Sequence, residues 1–127
     1  MKNTVIILVA AFAFFTKGYA QNNMKDQHVK TIALEQTPGA FTQKSVTVAE
    51  GDYIFEVANN AGIDVGFALV PKGKDISDPK NHIKTAYVTS LVKNGSKETS
   101  NVTTLQKGAY VYFCPLNATP QYTLIVE

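Results

Sequence analysis

The sequence predicts an all-β fold, a two-sheet β-sandwich with Greek-key connections that follows an N-terminal signal peptide. From residue 29 onward, short runs of β-branched and aromatic residues are separated by clusters of Gly, Pro, Asn and Asp, a pattern typical of strands and turns. About seven to nine such runs fit into roughly 100 residues, a density that favours a sandwich with Greek-key connections. Both observations exclude a helical domain.

The first 20 residues have the features of a signal peptide. Lys2 precedes an unbroken apolar run over 5–15, and residues 18–20 place small side chains at the positions that a signal peptidase recognises. The run is shorter than the roughly 20 residues that span a bilayer, so an uncleaved anchor is the weaker alternative. We expect cleavage after Ala20 and an exported protein, either periplasmic or extracellular.

The mature chain is predicted to be a flexible segment over 21–27 followed by one domain over 28–127. This length is sufficient to bury a core without disulfides or metal. Loss of Lys2 and Lys17 with the signal leaves ten lysines, no arginine and ten acidic residues. Nucleic acids and anionic membranes bind proteins that have surplus positive charge, so neither is an expected partner.

The first two predicted strands are short and are separated by clear turns. Residues 29–35 form the first strand, which Thr37, Pro38 and Gly39 interrupt. In 45–48, Val46 and Val48 alternate with polar neighbours, as in a strand with one buried face. The residues at 50–52, Glu-Gly-Asp, then predict a turn.

The next two strands carry the clearest burial patterns. Over 53–57, Tyr, Phe and Val share one face while Ile and Glu share the other, which predicts a strand buried on one side. A turn at 59–62 follows. Residues 67–70 are apolar on both faces and end at Pro71. Because proline cannot donate to a central ladder, we expect an inner strand that stops there.

The middle of the domain is less regular. Residues 71–82 contain several Pro, Gly and Asn residues and several lysines, which predicts a long surface loop. Residues 84–92 regain strand character, 93–100 form a polar connection with an Asn-Gly turn signal, and 102–105 form another short strand.

Two strands complete the domain after a turn at Lys107 and Gly108. Residues 109–114 are apolar on both faces, which predicts an inner strand that ends at Cys114. In 121–126, Tyr122, Leu124 and Val126 alternate with Thr and Ile, which predicts a closing strand. A single cysteine in an exported chain cannot form an internal disulfide, so Cys114 is a buried thiol, an intermolecular bridge or a metal ligand.

Three segments resemble the cupredoxins, the plastocyanin-like blue copper proteins: residues 51–62, the strand that ends at Pro71, and 108–126. In that family the last inner strand reads tyrosine, any residue, two aromatic residues and cysteine, and residues 110–114 read Tyr-Val-Tyr-Phe-Cys. The resemblance covers most of the mature chain. It implies a cupredoxin-like sandwich in which Tyr110 is a tyrosine corner.

The resemblance also implies where copper ligands belong. A blue copper site uses two imidazoles, a thiolate and commonly an axial methionine. The first histidine position falls on Val65, followed by Gly66, and the second lies near Asn117, a poor substitute; no methionine follows Met24. We expect no copper cofactor, and the remaining candidates for a metal site are Cys114, Asp64 and Asn117.

Outside these positions, candidate functional residues lie on loops. The two histidines, His28 and His82, are expected to be solvated surface residues. One candidate surface is an apolar pole where two loops should meet, formed by Val65, Leu116, Asn117 and Pro120. The other is a basic loop that could dock an acidic partner, although interleaved Asp75 and Asp78 favour a solvated loop. Its residues are Lys72, Lys74, Lys80, His82 and Lys84.

The sequence predicts no enzyme, because no base accompanies Cys114 in the local motif. The favoured function is an exported cupredoxin-like module without copper that acts by binding or as a structural element, with an unknown protein or a small apolar ligand as its partner. The alternative is a copper-binding electron-transfer or copper-carrier protein with an atypical site around Cys114.

Overall fold

Nine β-strands lie in residues 29–127, the part of the chain that the computed structural model describes. In chain order they are β1 (Val29–Thr37), β2 (Ala40–Phe41), β3 (Ser45–Val48), β4 (Gly51–Asn59), β5 (Ala68–Pro71), β6 (Lys97–Thr99), β7 (Thr103–Leu105), β8 (Gly108–Phe113) and β9 (Tyr122–Val126). Two short 3-10 helices cover Pro79–Asn81 and Lys84–Ala86. The signal peptide, the segment 21–27 and His28 lie outside the described residues. No helix within 29–127 has the length and apolar character needed to cross a membrane.

The strands form two sheets, and the predicted all-β sandwich is confirmed. The first sheet has the order β2-β1-β4-β6, with β7 also paired to β4; the second has the order β3-β9-β8-β5. The pairs β1–β4 and β3–β9 are parallel, and the other pairs are antiparallel. The chain moves repeatedly from one sheet to the other, so residues distant in sequence meet at the ends of the sandwich.

The main core lies between the sheets and follows the predicted alternation. Tyr53, Phe55 and Val57 on β4 are buried, as are Leu124 and Val126 on β9. An aromatic cluster fills the centre: the Phe41 ring centroid lies 5.1 Å from that of Tyr112 and 6.1 Å from that of Phe67, both in edge-on geometry. Such pairs add about 0.5–1.5 kcal/mol each beyond the area that they bury.

A second, smaller core explains why β5 and β8 are apolar on both faces. Ala68, Val70, Val111 and Phe113 form a separate buried cluster, and Ile76 and Tyr87 from the segment after β5 pack against it. The predicted loop over 71–82 is therefore not a free surface loop along its whole length. Part of it covers the face of the second sheet that points away from the main core.

Three strand predictions need correction. β5 is an edge strand, because it pairs only with β8; it reads as an inner strand because the following segment covers it, and the backbone N–H of Ile83 donates to the carbonyl of Leu69 (2.9 Å). Residues 84–92 form no continuous strand and pair only through isolated bridges at Val88 and Val92, since the segment leaves the outer face for the end of the sandwich. β6 lies in the predicted polar connection, where an exposed edge strand needs no apolar face.

Two tyrosines tie strands to the preceding turns. The hydroxyl of Tyr110 donates to the carbonyl of Gln106 (2.9 Å), which confirms the tyrosine corner implied by the resemblance. The hydroxyl of Tyr53 makes the same contact four residues back, to the carbonyl of Ala49 (2.7 Å). Each hydroxyl satisfies a turn carbonyl while its ring packs on the sandwich.

Candidate functional site

The Cys114 thiol lies at one end of the sandwich, where the loop before β5 meets the loop after β8. It is 2% exposed. Its Sγ accepts two backbone hydrogen bonds, from the N–H of Asn117 (3.1 Å) and from the N–H of Gly66 (3.4 Å). Cys114 is therefore a buried residue of the core and, in addition, an acceptor that joins the two loops.

The Asn117 side chain is engaged at both of its polar atoms. Its Oδ1 accepts from the N–H of Gly39 (2.8 Å), and its Nδ2 donates to Oε1 of Gln36 (3.1 Å) and to the carbonyl of Thr37 (2.9 Å). The residue is 5% exposed. Buried polar groups in folded proteins normally have hydrogen-bond partners, and those of Asn117 connect the loop after β8 to the hairpin formed by β1 and β2.

Gln36 completes this arrangement, although it was not among the predicted site residues. It is fully buried, and its Nε2 donates to the carbonyl of Gly66 (2.7 Å). Its place could have been inferred from the period of β1, because Ile32, Leu34 and Gln36 occupy alternate positions and all three are buried. A glutamine in a series of inward-facing residues needs buried partners.

Val65, which holds the position of the first histidine in the resemblance, is fully buried in the main core. Its backbone forms a two-way bridge with Val92, with both N···O distances at 3.0 Å. Asn59 supports the same region, because its Nδ2 donates to the carbonyls of Ile63 (2.6 Å) and Val92 (2.8 Å). The valine side chain packs in the main core and does not contribute to the surface.

Asp64 and His82 are placed apart from the thiol in different ways. The Asp64 carboxylate is 45% exposed and pairs with Lys93 at 3.9 Å, so it is a surface group and not a partner of the buried sulfur. The prediction that His82 is a solvated surface residue is wrong, because its side chain is half-buried. Its Nδ1 contacts the Tyr87 hydroxyl (2.6 Å) and its Nε2 the Ile76 carbonyl (2.7 Å).

The donors around Cys114 do not fit a blue copper centre. That centre needs two imidazoles with the thiolate, whereas Val65 and Asn117 stand at the expected positions and His82 uses both ring nitrogens elsewhere. Between residues 29 and 127, no group of three or more His, Cys, Asp or Glu side chains is close enough to hold a metal ion.

The arrangement of strands can be compared with solved structures. No protein-family model matches the sequence, and no curated protein does. The backbone is similar to that of auracyanin B, with a TM-score of 0.63 and 22% identity over 77% of this chain and 88% of that one. It is also similar to auracyanin A, a blue copper protein of Chloroflexus aurantiacus, with a TM-score of 0.62 and 20% identity over 78% and 99%.

The chain has the cupredoxin fold. A third similar structure, reduced auracyanin from Roseiflexus castenholzii, has a TM-score of 0.57 and 18% identity over 79% of this chain and 97% of that one. One fold supports many functions, so the chemistry of this chain depends on the side chains that it carries at its own site.

The end of the cupredoxin fold that contains Cys114 is apolar on its outside. Leu116 is 53% exposed, Ile63 51% and Leu91 46%. Leu116 lies against Gly66, because a Cβ built on that glycine would be 4.0 Å from Cδ1 of Leu116. We call these three side chains the apolar end. Of the predicted pole, Leu116 and Pro120 are exposed, but Val65 and Asn117 are buried beneath it.

A groove of about 490 Å³ opens beside the apolar end. Its walls include Gly66, Phe67, Tyr87, Leu91 and Pro115. The groove follows from the segment after β5, which crosses the outer face of the second sheet and returns to the end of the sandwich at Val92. Mostly apolar walls suit an apolar segment of a partner or a small apolar ligand.

The predicted basic loop is exposed at its lysines but not at its histidine. Lys72, Lys74, Lys80 and Lys84 are exposed. The Asp75 carboxylate accepts from the hydroxyl and the N–H of Ser77, and these hydrogen bonds lower the pKa of Asp75. The carboxylate of Asp78 accepts from the N–H of Lys80 and so caps the first 3-10 helix. The four lysines face solvent, and the lining of the groove contains no carboxylate.

Proposed function

We propose that this protein is an exported binding module with the cupredoxin fold, which acts without copper and docks an apolar segment of a partner protein on its apolar end. The observation that carries the proposal is the exposure of Leu116, at 53%, next to Asn117, whose backbone N–H donates to the buried Cys114 sulfur. The position where a copper protein would carry an imidazole ligand is built here from apolar and amide side chains.

The distribution of exposed apolar side chains supports docking at this end. Within the described part of the chain, four large apolar residues are more than two-fifths exposed, and three of them form the apolar end; the fourth is Val102. They come from three separate segments: the loop before β5, the segment before β6 and the loop after β8. Large exposed apolar side chains that concentrate at one end of a fold favour an interaction site more than scattered single residues do.

The same geometry argues against catalysis by the thiol. A nucleophilic cysteine needs a neighbouring base and access for substrate. Cys114 is 2% exposed, and its sulfur contacts two backbone N–H groups that are themselves fixed in the loop structure. We therefore propose a binding role in place of an enzymatic one.

A copper-carrier function is the second candidate. One observation favours it: Cys114 is a free cysteine, and cysteine sulfur is a ligand that suits copper(I). Titration of the reduced mature protein with copper decides between the two functions. A stoichiometric thiolate-to-copper absorption band that disappears in Cys114→Ser would establish the carrier and refute the copper-free module.

Site-specific photo-crosslinking tests the docking surface. We would place a photoreactive phenylalanine derivative at position 116 or, as the matched control, at position 102, which is similarly exposed. In the native organism, position 116 should yield one discrete crosslinked protein, whereas position 102 should not. The product should decrease at least fivefold when Leu91→Asp is combined with it. Equal labelling from both positions would refute the assignment.

A further inference from the structure

A closed ring of hydrogen bonds links the two loops on which the resemblance places the copper ligands. The N–H groups of Gly66 and Asn117 both donate to Sγ of Cys114. The Asn117 amide donates to Oε1 of Gln36 (3.1 Å), and the Gln36 amide donates to the carbonyl of Gly66 (2.7 Å). Four residues from three segments are thereby joined in one loop of contacts.

We propose that the amide pair Gln36–Asn117 takes over the mechanical role of the metal, so that this end of the fold is locked without copper. In a blue copper protein, the ion joins ligands on two loops, which correspond here to the loop before β5 and the loop after β8. Here the same two loops are joined through Cys114 and the amide pair. Because this concerns how the end of the sandwich is held, it stands independently of which partner binds there.

The ring connects residues that are distant in sequence. Gln36 and Gly66 are 30 residues apart, Gly66 and Cys114 are 48 apart, and Gln36 and Asn117 are 81 apart. Hydrogen bonds across such distances hold separate segments in one arrangement, because each one would be lost if its two loops moved apart. Gln36 anchors the ring to β1, which pairs along its whole length with β4 in the parallel register Gln36↔Asn59.

The ring leaves few donor atoms for a metal. Oδ1 of Asn117 is held by the N–H of Gly39, and Oε1 of Gln36 is held by Nδ2 of Asn117. Gln36, Cys114 and Asn117 are all 5% exposed or less. To turn toward an ion, the Asn117 side chain would have to release Gln36 and Thr37 as well as the Gly39 N–H, and the loss of partners by a buried amide is costly. This donor set disagrees with the copper chemistry usual for the fold.

The ring also fixes the apolar end. Leu116 lies between Pro115 and Asn117. The backbone N–H of Asn117 donates to Sγ of Cys114, and its side chain donates to Gln36. The N–H of Cys114 adds a contact to Oγ1 of Thr119 (3.0 Å), which tightens the same loop. Gln36 and Asn117 are therefore positioning residues for the surface that Leu116 presents.

Hydrogen exchange on the unmodified mature protein provides the first test. The amides of Gly39, Gly66 and Asn117 should be protected in chelator-treated protein, and addition of copper(I) should change their exchange rates by less than twofold. If instead these amides exchange as fast as an open loop and become at least tenfold slower when copper is added, the proposal is wrong.

Thermal unfolding of variants provides the second test. Asn117→Ala and Gln36→Ala should each lower Tm by about 5 °C or more, and the double variant should lower it by less than the sum, because both remove the same contact. Asn101→Ala, at an exposed asparagine, is the matched control and should leave Tm unchanged. Additive losses would show that the ring does not act as a unit.

The effect of copper on Tm shows whether a metal ion or the amide pair Gln36–Asn117 holds the two loops together. An ion that binds only the folded state raises Tm with its concentration. Wild-type protein should show the same Tm in chelator and in excess copper. A rise of about 5 °C or more that Cys114→Ser abolishes would assign the lock to metal and overturn the proposal. That outcome would also refute the copper-free part of the proposed function, whereas additive Tm losses in the variants would refute the amide ring alone and equal crosslinking from positions 116 and 102 would refute docking alone.

Discussion

Replacement of Cys114 by alanine should destabilise the domain more than the loss of one buried atom explains. The substitution removes only Sγ. Burial of an atom of this size contributes about 1 kcal/mol. The sulfur also accepts the N–H groups of Asn117 and Gly66, and both would lose their partner.

The hydrogen-bond contribution can be bounded from the surroundings of the two donors. Sulfur is a weak acceptor, so each bond contributes about 0.5–1 kcal/mol. Gly66 is half-buried and can recruit water, whereas Asn117 is 5% exposed and cannot do so easily. The expected loss in the free energy of unfolding is therefore about 2–3 kcal/mol. A thiol that only filled space would give about 1 kcal/mol.

Ile32→Val is the matched control. It also deletes one heavy atom from a buried side chain of the same core, but no hydrogen bond is lost, so about 1 kcal/mol is expected. Urea unfolding of both variants, with reductant present to prevent intermolecular disulfides, measures the difference. Equal losses for the two variants would show that the contacts to Sγ do not stabilise the fold and would remove the sulfur from the ring.

Three further predictions concern single side chains. Tyr110→Phe retains the ring but deletes the bond to the Gln106 carbonyl, so urea unfolding should show a loss of about 1 kcal/mol. Burial, with a smaller contribution from Tyr122, raises the pKa of Tyr112 to about 12. Since an unfolded tyrosine titrates near 10, this contribution to stability is complete below pH 10 and should be lost as the pH rises from about 10 to 12; ultraviolet titration that gives an ordinary pKa would contradict it. His82→Ala removes the contacts to Tyr87 and Ile76, so hydrogen exchange of the Ile83 amide should accelerate at least tenfold, with Lys84→Ala as the unaffected control.

The strands with one buried face could be predicted because apolar and polar residues alternate along their sequences. Tyr53, Phe55 and Val57 alternate with less buried neighbours on β4, and Leu124 and Val126 do so on β9. A side-chain period of two needs no information from elsewhere in the chain. The strand that ends at Cys114 was predicted from its run of apolar residues, and the tyrosine corner at Tyr110 was implied by the resemblance to the cupredoxins that this run carries.

The strand errors come from contacts that no local pattern contains. β5 is apolar on both faces whether it is an inner strand or an edge strand covered by a loop, and only the position of Ile76, Ile83 and Tyr87 decides between the two. Residues 84–92 have strand composition, yet their backbone partners lie at Val65 and Ser100. Tertiary placement determines whether such a segment joins a ladder.

The sequence by itself determined the all-β class and most strand positions, because alternation is a property of neighbouring residues, and its resemblance to the cupredoxins implied which side chains stand at the copper-ligand positions. Only the tertiary structure decided what those side chains do. Gln36 and Asn117 meet across 81 positions, and the burial of Val65 beneath an exposed Leu116 depends on how two loops close over the core. Hydrogen-bond partners and burial are set by packing between distant segments.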